Sequence, residues 1–350
     1  MRHLLPYARG MSTTLQNHRI RLASRPHGEP VAADFTHDVT EVPSPEAGQV
    51  LLRTRYVSLD PYVRGRMSDA KSYAAPMAVG DVIVGGTVSE VVESAAEGFA
   101  PGDTVLSYGG WQEYSLEPAA QLRRLDPAAA PVTTALGVLG MPGFTAYAGL
   151  LAIGKPQPGE TVAVAAATGP VGSAVGQIAK IHGARAIGIA GGKQKVARLR
   201  ELGFDAALDH RAPDLAGTLA AAAPDGIDVY FENVGGTVWD AVLPQLNKFA
   251  RVPVCGLAAH YNATSLPDGP DRSAQQMQAV LSKSLTLRGF IQNEFAPSMF
   301  EDFLRDMTGW LASGQVQHTE DITVGLDRAP EAFAGMLRGQ NFGKAIVQVS

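Results

Sequence analysis

The sequence is poor in cysteine: one thiol, Cys255, stands among 350 residues. It can form no internal disulfide and cannot supply a cluster of thiolates for a structural metal. Its place between Val254 and Gly256 reads as a strand end, and a reducing, cytoplasmic setting is expected. Positive charge is also scarce. With 29 Lys and Arg against 34 Asp and Glu, net charge -5, and no Lys/Arg-rich run, nothing draws the chain to nucleic acid or to an anionic membrane. No apolar run approaches the roughly 20 residues that span a bilayer. The histidines His18, His37, His182 and His318 show no ligand spacing. These absences leave small-molecule chemistry.

What is present is an ordinary globular composition, 45% hydrophobic and 18% charged with 38 Gly and 23 Pro, long enough for two domains. Met1 to Gly10 holds three basic groups and no acid, and Met11 opens a second start, so residues 1–17 read as a start-site extension. From about Arg19 to Arg124 the chain runs in short β-like segments such as Val50-Leu51-Leu52 and Val82-Ile83-Val84. Between Asp126 and Arg305 apolar strands alternate with helical stretches, the rhythm of a parallel sheet wound by crossovers. The expected strands are Thr161 to Ala166, Arg185 to Ala190, Asp228 to Phe231, Ala250 to Cys255 and Ser284 to Phe290. The tail carries a helix, Ala329 to Arg338, and a strand, Lys344 to Val349, which has no partner strand nearby and is expected to return to the first domain.

Directly after the first of these strands comes Ala167-x-Gly169-x-x-Gly172, and directly after that a helix. Such a turn aims helix N-terminal N–H groups and the positive end of the helix dipole at a pyrophosphate, while glycine lets backbone and ligand approach closely. Alanine replaces the first glycine of the usual fingerprint, so the flanking strand and helix carry the argument. The second strand ends in Gly191-Gly192-Lys193-Gln194-Lys195, about 20 residues on, where an enzyme using unphosphorylated dinucleotide places an acid. Two lysines and no carboxylate stand there, ahead of a helix expected from Val196 to Leu202, so NADPH is the expected coenzyme.

Several motifs in order resemble those of the medium-chain dehydrogenase/reductase superfamily, and within it the zinc-independent group of prostaglandin reductases, curcumin reductase and plant alkenal double-bond reductases. They are Ser58-Leu-Asp-Pro-Tyr-Val-Arg-Gly-Arg66, Ala70-Lys-Ser-Tyr73, Gly109-Gly-Trp111-Gln-Glu-Tyr114, Met141-Pro-Gly-Phe-Thr-Ala-Tyr147, Tyr230-Phe-Glu-Asn233-Val-Gly-Gly236, Cys255-Gly256 with Tyr261-Asn262, and Gly339-Gln-Asn341-Phe-Gly-Lys344. The resemblance implies an α/β fold in which a GroES-like β-rich catalytic domain, residues 18–126 and 307–350, holds an inserted Rossmann domain with a doubly wound parallel sheet, residues 127–306. It implies a homodimer joined along Leu285 to Phe290. It also implies that Gly169, Pro170, Val171, Gly172, Gly192, His210, Cys255, Gly256 and Tyr261 border the coenzyme, that Lys195 contacts its 2′-phosphate, and that Asn233 and Asn341 line it. Two positions depart from the group: His210 stands where relatives carry tyrosine and Asp209 where they carry asparagine, a carboxylate that would oppose the phosphate.

The stretch Val79 to Gly86 lacks the Gly-His-Glu of zinc alcohol dehydrogenases, so no metal site is expected. The chemistry then expected is hydride addition to the β-carbon of an enal or enone, whose developing enolate needs a hydrogen-bond donor. Tyr261 and Tyr73 are the candidate donors, and with Phe290 they are the expected substrate-binding residues. Arg64 and Arg66 could meet an acidic substrate, although loop-fixing hydrogen bonds are the stronger reading. Trp111 and Trp310 read as core or interface fillers, and Gly256 to Arg272 as a mobile cover over the coenzyme. Quinone reduction by the same coenzyme, and NADPH binding without turnover, are the alternative functions.

Overall fold

A computed structural model describes residues 15–265 and 269–349. The expected extension therefore lies largely outside the described residues. Its last two positions do not belong to it, because strand β1 already begins at Gln16 and the buried Asn17 exchanges hydrogen bonds with the backbone of Tyr114.

The N-terminal part is β-rich. Its strands are β1 (Gln16–Leu22), β2 (Phe35–Glu41), β3 (Gln49–Ser58), β4 (Thr87–Ser94), β5 (Thr104–Ser107), β6 (Tyr114–Pro118) and β7 (Arg123–Leu125), with one short helix, α1 (Tyr62–Arg66). Strands β1 and β2 form a hairpin, and β3, β4, β5 and β7 follow one another in a larger sheet to which β6 adds through β3. The apolar interior here is built on Ile20, Leu22, Val57 and Trp111. Trp111 is fully enclosed, stacked on Phe35 and met edge-on by Phe333.

A helix, α2 (Met141–Ala148), leads into the second domain, whose sheet is six-stranded and parallel throughout. Its strands are β8 (Thr161–Ala165), β9 (Arg185–Ala190), β10 (Ala206–Asp209), β11 (Ile227–Phe231), β12 (Leu246–Val254) and β13 (Thr286–Gly289), in the order β10-β9-β8-β11-β12-β13. The connecting helices are α3 (Pro170–Ile181), α4 (Lys193–Glu201), α5 (Leu215–Ala222), α6 (Gly236–Val242), α7 (Ser273–Lys283) and α8 (Ala296–Ala312). Val162 and Val164 of β8 pack with Val175, Ile178, Phe303 and Met307, whereas Ala163 and Ala165 pack with Leu219 and Val242. Alternate residues of one strand thus feed two cores, which is what a sheet covered on both faces requires. The reversal of strand order beside β8 opens a crevice at the carboxyl ends of the strands.

Of the expected strands in the second domain, Arg185 to Ala190 forms with those ends and the others form with ends shifted, whereas Val82-Ile83-Val84 forms no strand and makes only an isolated bridge from Val82 to Arg21; two strands escape the sequence reading. β10 is four residues long and only half-buried, too short and too weakly apolar to stand out from its turns. β14 (Glu320–Val324) pairs in parallel with the tail strand β15 (Lys344–Gln348), so that strand does have a neighbour close in sequence. β14 shows little apolar pattern because it lies at the sheet edge with alternate residues exposed. β15 also pairs antiparallel with β3, which returns the tail to the first domain, and α9 (Ala329–Leu337) covers it, contributing Phe333 to that core. Helix α8 runs through the expected boundary at 306, and its Met307 packs in the second domain's core together with Val316 beyond it.

The tail is latched from inside. The Lys344 ammonium donates to the Leu59 carbonyl at 2.7 Å and to Asp60 Oδ1 at 3.1 Å, and both side chains are almost fully buried. Removing one member strands the other's charge away from water, so Lys344→Met should lower unfolding free energy by about 3–5 kcal/mol, and pairing it with Asp60→Asn should recover part of that loss in urea titrations. Packing of α3 gives a second expectation. A Cβ on Gly176 would lie 2.0 Å from the Phe204 ring, whereas one on Gly309, exposed in α8, meets nothing. Gly176→Ala should cost about 1–3 kcal/mol and Gly309→Ala should stabilise by about 0.5–1 kcal/mol; equal midpoints in the two variants would contradict this account.

Candidate functional site

A cleft of about 740 Å³ lies at the carboxyl ends of β8, β9, β11 and β12 and is closed on its far side by residues of the first domain. The glycine turn forms its floor. Ala166 leaves β8 with a left-handed backbone, φ +50°, its carbonyl accepts the Gly169 N–H at 2.9 Å, and Gly169 caps α3. A Cβ on Gly172 would lie 2.5 Å from the Ala166 oxygen and 2.7 Å from Ala167 Cα. Only glycine therefore lets the helix start this close to the strand. Pro170 brings no N–H, and those of Val171 and Gly172, in the first turn, have no intrahelical acceptor. They and the helix dipole make an anion seat.

At the end of β9, Gly192 adopts φ +92° and caps α4, so the helix begins at Lys193, three residues before the expected start. Lys195 Nζ donates at 2.7 Å to the carbonyl of Gly339, crossing from the nucleotide domain to the tail. Burial, and then the charge of Arg211, hold its pKa below the usual lysine value, while Asp321 opposes the shift. The Asp209 carboxylate accepts from the backbone N–H groups of Gly192 and Arg211, both at 2.9 Å. Those bonds keep it ionised to below the ordinary aspartate range. The residue expected to oppose a phosphate thus ties two turns together. His210 lies over Gly191, its pKa lowered mainly by burial and then by Arg211. Arg211, which also lines the cleft, escaped the sequence reading; a lone arginine after an unrecognised four-residue strand offered no pattern to find it by.

Another side of the cleft is framed by the loop after β11. The buried Glu232 carboxylate accepts from Val234 N–H at 2.6 Å, Gly235 N–H at 2.8 Å and the Tyr230 hydroxyl at 3.2 Å, so the turn is held rigidly although burial raises the Glu232 pKa. Asn233 Nδ2 donates to the Ala165 carbonyl at 2.9 Å, and its Oδ1 accepts the Cys255 thiol at 2.8 Å. Burial pushes that thiol well above its usual pKa, which keeps it protonated and poorly nucleophilic. Asn341 faces the same cleft with Nδ2 on the Gly343 carbonyl at 2.7 Å.

Tyr261 folds back toward the sheet. Its oxygen accepts the Leu257 N–H at 3.3 Å, and a Cβ on Gly256 would lie 3.0 Å from it. The backbone thereby occupies the acceptor side of the hydroxyl and leaves its proton available to a ligand. Burial raises its pKa to about 12. Tyr73 lines the same cleft from the N-terminal domain and is 68% exposed. Phe290 closes the apolar end, its ring perpendicular to Phe231 at 6.1 Å. Tyr62, Tyr108 and the Asp60–Lys344 pair border the cleft as well; Asp60 and Lys344 stood inside recognised motifs, but only the fold shows that they face one another.

Arg64 is spent on the loop. It donates to the carbonyls of Pro26 and Gly28 and to Asn262 Oδ1, fastening the start of the segment after β12 to the first domain. Arg66 similarly holds the Ala75 carbonyl at 2.9 Å. Residues 266–268 of that segment lie outside the described residues. Among the described residues no three His, Cys, Asp or Glu side chains come together as a metal site would need, and no helix is long and apolar enough to cross a membrane.

Residues 18–125 match a family described as the N-terminal domain of oxidoreductase, and residues 170–309 one described as zinc-binding dehydrogenase. The chain is 53% identical over 336 residues to the NADPH-dependent curcumin reductase of Escherichia coli, covering 96% of this chain and 97% of the relative. It is 39% identical over 342 residues to prostaglandin reductase 1 of Bos taurus, covering 96% and 98%. The crystal structure of CurA from Vibrio vulnificus in complex with NADPH superposes with a TM-score of 0.92 at 50% identity, covering 95% of this chain and 99% of that one. The chain belongs to the medium-chain dehydrogenase/reductase superfamily, in the group that includes curcumin reductase and the prostaglandin reductases.

Proposed function

We propose that this oxidoreductase uses NADPH to reduce the carbon–carbon double bond of medium-sized α,β-unsaturated aldehydes and ketones. The observation that carries the reading is the Tyr261 hydroxyl, which accepts a backbone N–H and lines a cleft that begins at a dinucleotide-type glycine turn. The names of the relatives support both the coenzyme and the reductive direction.

The residues present fit the coenzyme. Val171 and Gly172 N–H groups suit the pyrophosphate, and the cations Lys195 and Arg211, near the Gly191-Gly192 turn, suit a 2′-phosphate. When bound, the reduced coenzyme supplies the hydride. Asn233 and Asn341, each pinned by its own hydrogen bond to backbone, would keep the nicotinamide end of the cleft in shape without rearranging. Cys255 and Gly256 form the wall beside Asn233.

For the substrate, Tyr261 stabilises the charge that collects on the carbonyl oxygen as the β-carbon becomes saturated. Its high pKa keeps it neutral and donating throughout the physiological range, so kcat should show no alkaline loss from this group below about pH 10. Phe290 shapes the apolar end of the site. Tyr73, which lines the cleft from the opposite domain, serves as the second donor in this reading, closing over the carbonyl or relaying a proton. The exposed edge strand β13 supports a homodimer formed edge to edge, and a monomeric mass by light scattering would remove that part of the reading.

Two substitutions test the proposal. Tyr261→Phe should lower kcat on enones by about 10- to 1,000-fold, and unaltered turnover would take the hydroxyl out of the mechanism. Lys195→Ala should raise KM for NADPH with little change in kcat, as when binding common to ground and transition states is removed; equal losses with NADH would deny it a phosphate role. In parallel assays an enal of about nine carbons should outperform simple quinones, and a large preference for quinones would overturn the substrate class.

A further inference from the structure

The phosphate end of the cleft holds three basic side chains, and they are unequally free. Lys195 Nζ gives one of its three N–H donors to the Gly339 carbonyl. His210 is neutral by preference, because burial and the neighbouring Arg211 and Lys195 all disfavour its imidazolium. The Arg211 side chain has no hydrogen bond or salt bridge among the described residues; only its backbone N–H is engaged, by Asp209 Oδ1.

Its position is set nonetheless. That same Asp209 oxygen accepts Gly192 N–H, so the turn carrying Arg211 is stitched to the turn that ends β9. A Cβ on Gly191 would lie 2.9 Å from Arg211 Nε and 2.7 Å from His210 Nε2, and one on Gly192 would lie 3.7 Å from Arg211 Nη1. The guanidinium therefore lies against the glycine pair at the end of β9.

We propose that Arg211 is the main residue by which this enzyme selects phosphorylated coenzyme, its guanidinium taking the 2′-phosphate in a two-pronged grip while Lys195, tied by one donor to Gly339, adds a point charge. The inference rests on the coenzyme reading above. Its physical basis is that a planar fork of unspent N–H donors matches two phosphate oxygens, whereas a lysine already bonded to a carbonyl offers a point charge whose geometry is constrained. Asp209 remains close by as an ionised carboxylate, which makes a permanently charged, correctly oriented partner necessary if the phosphate is to be held against it.

The test needs no turnover. Adenosine 2′,5′-bisphosphate and adenosine 5′-monophosphate are titrated calorimetrically into the wild-type enzyme, Arg211→Gln, Arg211→Lys and Lys195→Ala. Wild type should prefer the bisphosphate. Arg211→Gln should lose about 10- to 100-fold of its affinity for the bisphosphate while its affinity for the monophosphate stays within about twofold, which shows that the site is still folded. Arg211→Lys should recover only part of the preference, and Lys195→Ala should lose less than Arg211→Gln. If wild type does not distinguish the two nucleotides, the coenzyme reading falls and this inference with it. If wild type distinguishes them but Arg211→Gln does so equally well, or Lys195→Ala loses more, the coenzyme reading stands and the role given to Arg211 is wrong.

Discussion

The closeness with which α3 starts from the end of β8 is the constraint on which the site depends. With the Ala166 oxygen 2.5 Å from where a Gly172 side chain would begin, the helix presents its unpaired N–H groups directly above the sheet. Any bulk at that position would lift the helix and turn its dipole away from the crevice. The left-handed Ala166 gives the chain the sharp turn this needs, and Gly176 against Phe204 carries the same close packing one turn further along. Strand order then does the rest, because the reversal beside β8 leaves room for a ligand only at this end of the sheet.

Around that seat the protein uses backbone to hold several of the side chains that face the cleft. Asn233, Asn341, Tyr261 and Lys195 each bond to a main-chain group, and Glu232 closes its own turn on two N–H groups. Such preorganisation matters for electrostatic catalysis, since groups already oriented need not be reordered as charge develops. Tyr73 and Arg211 stand apart. Tyr73 is largely exposed and comes from the other domain, and the Arg211 side chain has no hydrogen-bond partner among the described residues.

The two domains meet through directed contacts and through apolar packing. Lys195 reaches Gly339 and Arg64 reaches Asn262, so each domain holds a loop of the other beside the cleft, while Ala135 and Leu136 pack with Val88 and Ile346 of the first domain. The catalytic domain in turn depends on its C-terminal tail, whose Lys344 is buried against Leu59 and Asp60. A site assembled from residues as distant as Tyr73, Tyr261 and Asn341 thus relies on a strand that the chain adds last.

Local pattern by itself determined the glycine turn between strand and helix, the alternation that yields a parallel sheet, and the lack of a carboxylate at the end of β9, because each depends on neighbours within a few residues. It could not show β10 or β14, short edge strands whose half-exposed faces carry little periodicity. Nor could it show that Asp209 turns its charge onto two backbone amides, that the Tyr261 oxygen is already occupied by an N–H, or that Lys344 meets Asp60 across 284 positions. The Asp209–Gly192 and Lys344–Asp60 pairings were decided only when separate segments were packed together, and the Tyr261–Leu257 bond by the fold of its own loop, since the energy of a charge or hydroxyl depends on what encloses it.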